Sequence, residues 1–217
     1  MLSRGWFWTS LLEGLKLTLY ISGVSILIAF VFGIVVGVMR YSRVPVISWI
    51  ATAYIEFIRN IPLVLLMLFC FLVFQLKDVT AAIFALSIFT TAVIAEVVRG
   101  GLNSIPKGQW EAARSQGMSY LQILRHIVLP QAVTKMIPPI VSQFVTAIKD
   151  SSFALLLGVV ELTARSNILK GLFPAVGQIL TIYAVIAAMY FVINFAISVV
   201  ARALQKRLSA GRGSIGQ

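Results

Sequence analysis

The sequence predicts an all-α integral membrane protein with five transmembrane helices, an external N-terminus and a cytoplasmic C-terminus. Composition, five long apolar stretches and the distribution of Lys and Arg lead to this prediction. Of the 217 residues, 59% are hydrophobic and 12% are charged, whereas soluble domains have roughly 45–50% apolar and about 25% charged residues. This composition excludes a soluble enzyme, a disordered chain and a disulfide-stapled secreted module.

The five apolar stretches are the candidate membrane spans, because a helix needs about 20 apolar residues to cross the hydrocarbon core. The first is uncharged over 23 residues, which is too long for a signal-peptide core, and no small-residue cleavage pattern follows it. The fourth is interrupted near its middle by Lys149 and Asp150, and the fifth begins after Gly177. We predict spans at residues 17–39, 58–76, 79–97, 136–160 and 178–201.

The basic residues indicate the orientation. With the C-terminus inside, twelve of the 18 Lys and Arg residues fall in cytoplasmic segments, five fall outside, and Lys149 lies within the bilayer. Because cytoplasmic loops carry an excess of Lys and Arg, this distribution favours an external N-terminus. On a membrane protein, the net charge of +11 does not indicate a nucleic-acid partner, and none is expected.

One membrane domain accounts for most of the chain. We expect an interfacial segment at 1–14, a single domain at 15–208 and a cytoplasmic tail at 209–217. The long connection between spans is the cytoplasmic loop 98–135, whereas Lys77 and Asp78 form little more than a tight hairpin outside.

The cytoplasmic loop carries an amphipathic helical pattern. Apolar residues recur from Trp110 to Leu124 at spacings of three and four, with polar residues on another face. Gly117 is expected to break this helix, and Ser119 with Gln122 fits a capping box that starts a second one. We therefore predict two short helices under the membrane, followed by Pro130 before the fourth span.

The motif in this loop resembles the EAA signature of bacterial ABC-importer permeases. The signature requires EAA, three residues, Gly, nine residues and I-x-L-P, and the segment EAARSQGMSYLQILRHIVLP at 111–130 meets it in full. Segments 54–63, 95–110 and 149–153 are similar to those of the polar amino acid permeases, the histidine, glutamine, glutamate and arginine group. The resemblance runs from about residue 15 to residue 208 and implies a type I ABC-importer permease fold.

The resemblance also implies a function and its partners. The chain would be the permease subunit of an ATP-driven importer for polar amino acids, either glutamine and glutamate or basic ones, in the bacterial inner membrane. Glu111, Ala112, Ala113 and Gly117 would couple it to a cytoplasmic ATPase dimer. A second permease subunit, the same chain or a close homologue, and an extracytoplasmic solute-binding protein would complete the assembly in the lipid bilayer.

No cofactor, metal or catalytic residue is expected on this chain, and ATP with Mg²⁺ would bind the partner ATPase. Residues 101–108 superficially resemble a P-loop, but Pro106 and Gly108 stand where the motif requires Gly and Ser or Thr.

Charged groups within the membrane are candidates for the substrate pathway, because each costs about 2.5–3.5 kcal/mol at the bilayer centre on insertion scales. We hypothesise that Glu96 and Asp150 receive the α-ammonium of a passing amino acid, with Gln143 and Ser151 nearby. The alternative for Glu96 is an ion pair with Arg99 on the same helix. The role of Lys149 stays open.

Two residue pairs are interpreted as structural. Gly33 and Gly37 have the small-xxx-small spacing of a close helix contact. Glu56 and Arg59 are expected to form an ion pair at the cytoplasmic boundary, just before Pro62.

Two other classes of protein compete with the importer. A small oligomeric ion-driven amino acid carrier or channel would use the intramembrane charges but leaves the EAA loop unexplained. A membrane-embedded enzyme would need a nucleophile and a base, for which Lys149, Ser151 and Ser152 are a poor match.

Overall fold

The protein is helical throughout the part that its computed structural model describes, residues 1–213. The last four residues of the predicted tail, 214–217, lie outside the described residues. The helices are α1 (Gly5–Tyr41), α2 (Pro45–Arg59), α3 (Leu63–Leu72), α4 (Asp78–Asn103), α5 (Lys107–Ser115), α6 (Tyr120–Ile123), α7 (Leu129–Asp150), α8 (Leu162–Leu172) and α9 (Val176–Gly213).

Four helical stretches within the described residues are long and apolar enough to cross a membrane: Gly5–Tyr41, Asp78–Asn103, Tyr120–Leu157 and Val176–Ala203. A fifth span exists if the bent pair α2 and α3 counts as one. The all-α architecture is confirmed, and the bent pair decides whether the protein has four spans or five.

The second predicted span, 58–76, differs from a straight helix. α2 ends at Arg59, and α3 starts at Leu63 at an angle of 98° to it. Pro62 explains the break, because a proline disfavours helical geometry in the residue before it and has no N–H to donate. α2 also carries Glu56 and Arg59, so the sequence rule that looked for an uncharged stretch missed this helix.

The fourth predicted span begins 16 residues earlier than expected, at Tyr120. α6 runs into a π-helical turn at Leu124–Val128 and then into α7, so Pro130 lies in the first turn of α7 rather than before the span. The predicted second short helix is present as α6, but it continues directly into the π-helical turn and α7, so it is not separate from the fourth span.

The first helix begins at Gly5, so most of the expected interfacial segment 1–14 belongs to α1. The charges of Glu13 and Lys16, which precede the uncharged run at 17–39, lie within α1, and Glu13 is paired with Arg165 at 3.0 Å. At the other end of the chain, α9 continues as helix to Gly213.

Close packing of α1 on α4 forms the centre of the molecule. The two helices run in the same direction, and a Cβ atom built on Gly33 would lie 2.6 Å from Ile94 Cγ2. One on Gly37 would lie 2.6 Å from Val98 Cβ and 2.7 Å from the Ala95 carbonyl oxygen. The close helix contact predicted for this pair is present, and it lies within one chain.

Three apolar clusters lie in sequence along α1. One surrounds Phe7 and Leu11 with α8 and α9, a second surrounds Ile21 with α3 and α4, and a third surrounds Ala29 with α4 to α7. The end of the molecule that holds the third cluster and α5 is called the loop end below, and the opposite end is called the far end. This layering places the EAA motif at one end of the molecule and α8 at the other.

Candidate functional site

The EAA motif lies on α5, a nine-residue helix closed by a glycine motif. The Gly117 N–H donates to the Arg114 carbonyl (2.9 Å), and the Met118 N–H donates to the Ala113 carbonyl (3.2 Å). These two bonds form a Schellman motif, which requires a left-handed residue just beyond the helix. Gly117 has φ = +80°, a backbone conformation that residues with a Cβ atom rarely adopt. The predicted helix break at Gly117 is confirmed.

The capping box that follows is also present. The Gln122 N–H donates to Ser119 Oγ (3.4 Å), and the Ser119 N–H donates to Gln122 Oε1 (2.8 Å). The two bonds satisfy donors that are otherwise unpaired at the start of a helix. The turn between α5 and the next helix is thus fixed by local signals at both ends.

The EAA residues occupy different faces of α5. Glu111, Ala112 and Gly117 are exposed, whereas Ala113 is 3% exposed and packs in the loop-end cluster with Ile105 and Ile123. Ala113 therefore fixes α5 to its own chain, and the small side chain of Ala112 leaves the outer face of the helix open.

Aromatic and basic side chains connect α5 to the end of α1. The Trp110 and Tyr120 rings are stacked at 5.3 Å, and the Arg43 guanidinium lies 4.4 Å from the Tyr120 ring centroid. A cation over an aromatic ring at this distance is attracted by the ring quadrupole. Lys135 Nζ also donates to the Ser104 carbonyl (2.9 Å), between the start of α7 and the end of α4.

Glu96 lies in an ion-pair network rather than facing an open path. Its carboxylate accepts from Arg99 on the same helix (2.6 Å) and from Arg40 at the end of α1 (2.6 Å). Arg40 also donates to Glu56 on α2 (2.8 Å). The predicted Glu96–Arg99 pair is present, and the partner of Glu56 is Arg40 instead of Arg59. Arg40 could not have been identified from spacing, because it is 56 residues from Glu96.

Asp150 stands at the end of α7 without such partners. It is half-buried, and its carboxylate forms no hydrogen bond or ion pair with the described residues. Gln143, two turns earlier, is also half-buried, whereas Ser151 is buried and donates its hydroxyl to the Ile148 carbonyl (2.8 Å). A 3₁₀ segment at Ser151–Leu157 follows directly, so the α-helical face that carries Gln143 ends at Asp150.

The structure does not bring Glu96 and Asp150 together. α4 and α7 run in opposite directions, and Met136 packs where Gly101 lacks a side chain. From that level, at 1.5 Å per residue, Glu96 lies about 8 Å toward the far end and Asp150 about 21 Å. The two carboxylates therefore lie at depths that differ by roughly 13 Å, too far apart to bind one ammonium together.

A buried carboxylate that the sequence analysis missed lies at the far end. Glu161 is fully buried at the start of α8 and accepts from the N–H groups of Thr163 (2.8 Å) and Ala164 (2.7 Å). It also accepts from Thr18 Oγ1 (3.2 Å) on α1 and from the Tyr190 hydroxyl (3.0 Å) on α9. Burial raises the pKa of Glu161, and these hydrogen bonds oppose the shift. Its only local signal was an acidic residue before an apolar run.

Comparison with known proteins identifies a family and several relatives that this chain resembles. The family model described as "binding-protein-dependent transport system inner membrane component" matches residues 29–210. The probable glutamine ABC transporter permease protein GlnP of Bacillus subtilis (strain 168) is 43% identical over 200 residues, which cover 90% of this chain and 92% of that protein. The glutamate transport system permease protein GluD of Corynebacterium glutamicum is 36% identical over 214 residues, covering 94% and 77% respectively.

A solved structure agrees with the same assignment. The structure described as an amino acid ABC transporter with histidines superimposes with a TM-score of 0.86 at 29% identity, covering 95% of this chain and 97% of that one. These proteins are membrane transport components rather than enzymes, which excludes the membrane-embedded enzyme and gives the ion-driven carrier no support. The chain therefore belongs to the family of binding-protein-dependent transport system inner membrane components.

Proposed function

We propose that this protein is the permease subunit of an amino acid ABC importer, driven through α5 by a separate ATPase dimer that holds ATP and Mg²⁺. The observation that carries the proposal is α5 itself. It is a short amphipathic helix fixed to its own chain by Ala113, and it presents Glu111 and Ala112 outward. Such an exposed helix suits docking in a groove of a partner, with a carboxylate to pair with a basic group.

The short connections between helices at the far end support the proposal of further subunits. In the described residues, the connections there are short: 73–77 between α3 and α4, 158–161 before α8 and 173–175 before α9. They offer no room for a domain that captures substrate, which supports a separate solute-binding protein on that side. A second permease copy, identical or closely related, would complete the translocation path.

A variant of Glu111 tests the coupling role. We expect Glu111→Ala to weaken association with the ATPase subunit at least tenfold and to lower ATP-driven uptake in proportion, since the helix loses its only carboxylate. Gln109→Ala is the matched control, because Gln109 is exposed on the same helix outside the motif. Wild-type association and uptake in Glu111→Ala would contradict the coupling role of this residue.

Glutamine or glutamate is the substrate we propose first, with basic amino acids next. The support comes from the relatives, whose printed names include glutamine and glutamate systems. Uptake of each labelled amino acid by the complete reconstituted system, in competition with unlabelled amino acids, would identify the substrate.

For the pathway, we propose that Asp150 binds the α-ammonium of the substrate, with Gln143 and Ser151 nearby. The support is its half-buried carboxylate, which has no partner among the described residues. The pathway role of Glu96 stays a prediction, and it would require Arg40 or Arg99 to release the carboxylate.

Neutral variants of Asp150 and Glu96 test the role of each carboxylate independently. We expect Asp150→Asn to raise the apparent KM for uptake about tenfold or more, because a charge-assisted hydrogen bond to the ammonium is lost. If Glu96 serves only as an ion-pair partner, Glu96→Gln should lower thermal stability without changing KM. Glu13→Gln is the control, since Glu13 pairs with Arg165 far from both groups. Unchanged KM and rate in Asp150→Asn would refute the proposed binding role.

A further inference from the structure

A polar cavity lies at the loop end, between the end of α1, the end of α4 and the exposed face of α5 that carries Glu111. Its volume is about 380 Å³. Tyr41 and Arg43 line it from the end of α1, and Lys107, Glu111 and Arg114 line it from α5. This cavity is separate from Asp150, which lies about 20 Å or more along α7 from the loop end.

Three cations meet at this cavity without a matching set of anions. Arg43, Lys107 and Arg114 are exposed and form no ion pair with the described residues. Glu111 is the one carboxylate on its lining. The cavity therefore carries an excess of two positive charges.

The other six carboxylates of the chain all lie elsewhere in the described part. Glu13, Glu56 and Glu96 pair with other arginines, and Asp78 receives the Val79 N–H at the start of α4. Glu161 is buried at the far end, and Asp150 stands at the end of α7. Within the described residues, no other carboxylate neutralises the cavity, which leaves its excess charge available to an anionic ligand.

The position and chemistry of the cavity favour a phosphate group. It lies where two membrane-spanning helices end, which is the level of lipid head groups, and the aromatic rings of Tyr41 and Trp110 line it as in an interfacial belt. Arg guanidinium groups bind phosphate oxygens in pairs, and Lys binds them as a point charge. Basic pockets between membrane helices are suited to anionic head groups.

We propose that this cavity binds a phosphate-bearing anion, supplied by the head group of an anionic phospholipid, against Arg43, Lys107 and Arg114. The bound phosphate joins the α1–α2 connection to α5 and neutralises the excess charge between them. The site does not depend on which amino acid is transported.

The test measures binding of phosphatidylglycerol to the purified full-length chain in neutral detergent. Native mass spectrometry counts the retained lipids, and the thermal unfolding midpoint is followed as phosphatidylglycerol or phosphatidylcholine is added at constant ionic strength. We expect phosphatidylglycerol alone to be retained and to raise the midpoint. Lys107→Gln and Arg114→Gln should each weaken its binding about fivefold, and the double variant about 25-fold.

Arg125→Gln is the matched control, because Arg125 is an exposed cation on the same loop that does not line the cavity. It should bind phosphatidylglycerol like the wild type, and an equal loss in this control would overturn the proposal. Lys107→Gln alone keeps the test valid if the double variant does not fold, since the Lys107 side chain forms no hydrogen bond or ion pair with the described residues.

Two further results would distinguish the source of the anion from a protein partner. Stabilisation by inorganic phosphate equal to that by the lipid, lost in the same variants, would support the phosphate site and assign it to a soluble ligand. Unchanged lipid binding in the double variant, together with weaker association with the ATPase subunit, would show that these cations serve a protein partner and would overturn the proposal.

Discussion

At the scale of the residue, the Glu161 carboxylate connects three helices. It accepts four hydrogen bonds, two from the first turn of α8, one from α1 and one from α9. A side chain that accepts from N–H groups at a helix start contributes about 1 kcal/mol. Without this acceptor, the buried Thr18 hydroxyl would cost a further 1–3 kcal/mol. The protein therefore depends on the acceptor at position 161 more than on its charge.

Replacement of Glu161 should separate these two contributions. Glu161→Ala should lower the free energy of unfolding by about 2–4 kcal/mol, from the lost cap and the Thr18 hydroxyl left without an acceptor, whereas the Tyr190 hydroxyl keeps Thr163 Oγ1 at 3.0 Å. Glu161→Gln keeps an acceptor and should cost less. Thermal unfolding of both variants in detergent checks the order, and equal stability of Ala and Gln would contradict the role of the acceptor.

The same residue predicts a pH dependence. Its pKa in the folded protein is raised above the ordinary value of 4.5, so the folded state binds this proton more tightly than the unfolded state. Stability from this group is therefore fully present below about pH 4.5 and falls as pH rises toward the raised pKa. Glu161→Gln should remove this slope, which unfolding at several pH values would measure; a slope unchanged in Glu161→Gln would contradict the assignment.

For the helices, features that depend on neighbouring residues could be predicted from the sequence. Features that depend on residues far apart in the chain could not. The break at Gly117 and the capping box at Ser119 depend on residues within a few positions, and both are confirmed. By contrast, Glu13 on α1 pairs with Arg165, and Glu56 on α2 pairs with Arg40, and both partners are distant in sequence. The role of Glu161 was missed for the same reason, since Thr18 is 143 residues away.

The contact between α1 and α4 gives a prediction at this scale. Gly37→Ala should lower the unfolding midpoint markedly, because its Cβ would lie 2.7 Å from a backbone oxygen that cannot move without shifting α4. Overpacking of this kind costs about 1–3 kcal/mol. Gly23→Ala is the control, since a Cβ there meets nothing within 4 Å. Equal midpoints for the two variants would contradict the close contact.

At the scale of the whole molecule, the orientation in the membrane follows from charge. The structure fixes which helix ends share a side: α5 and the end of α1 lie at the loop end, and α8 with the start of α1 lies at the far end. The excess of Lys and Arg at the loop end then predicts that this end lies in the cytoplasm. Because the packing fixes all helix ends relative to one another, the whole chain has only two possible orientations in the membrane.

Thiol labelling checks the orientation. In a Cys70→Ala background, Ser3→Cys should react with a membrane-impermeant maleimide on intact cells, and Gln116→Cys only after permeabilisation. Both positions are exposed, whereas the native thiol is 1% exposed. The reverse pattern would invert the predicted topology.

The helical stretch from Tyr120 to Leu157 has a mechanical consequence, because no loop interrupts it. A tight turn connects its Tyr120 end to α5, and Asp150 lies about 45 Å along the stretch from Tyr120. A displacement applied at the turn therefore reaches the depth of Asp150 without crossing a loop. Pro138 and Pro139 lie within α7 and remove two hydrogen bonds from its middle, so we expect the stretch to bend there first when a force acts on one end.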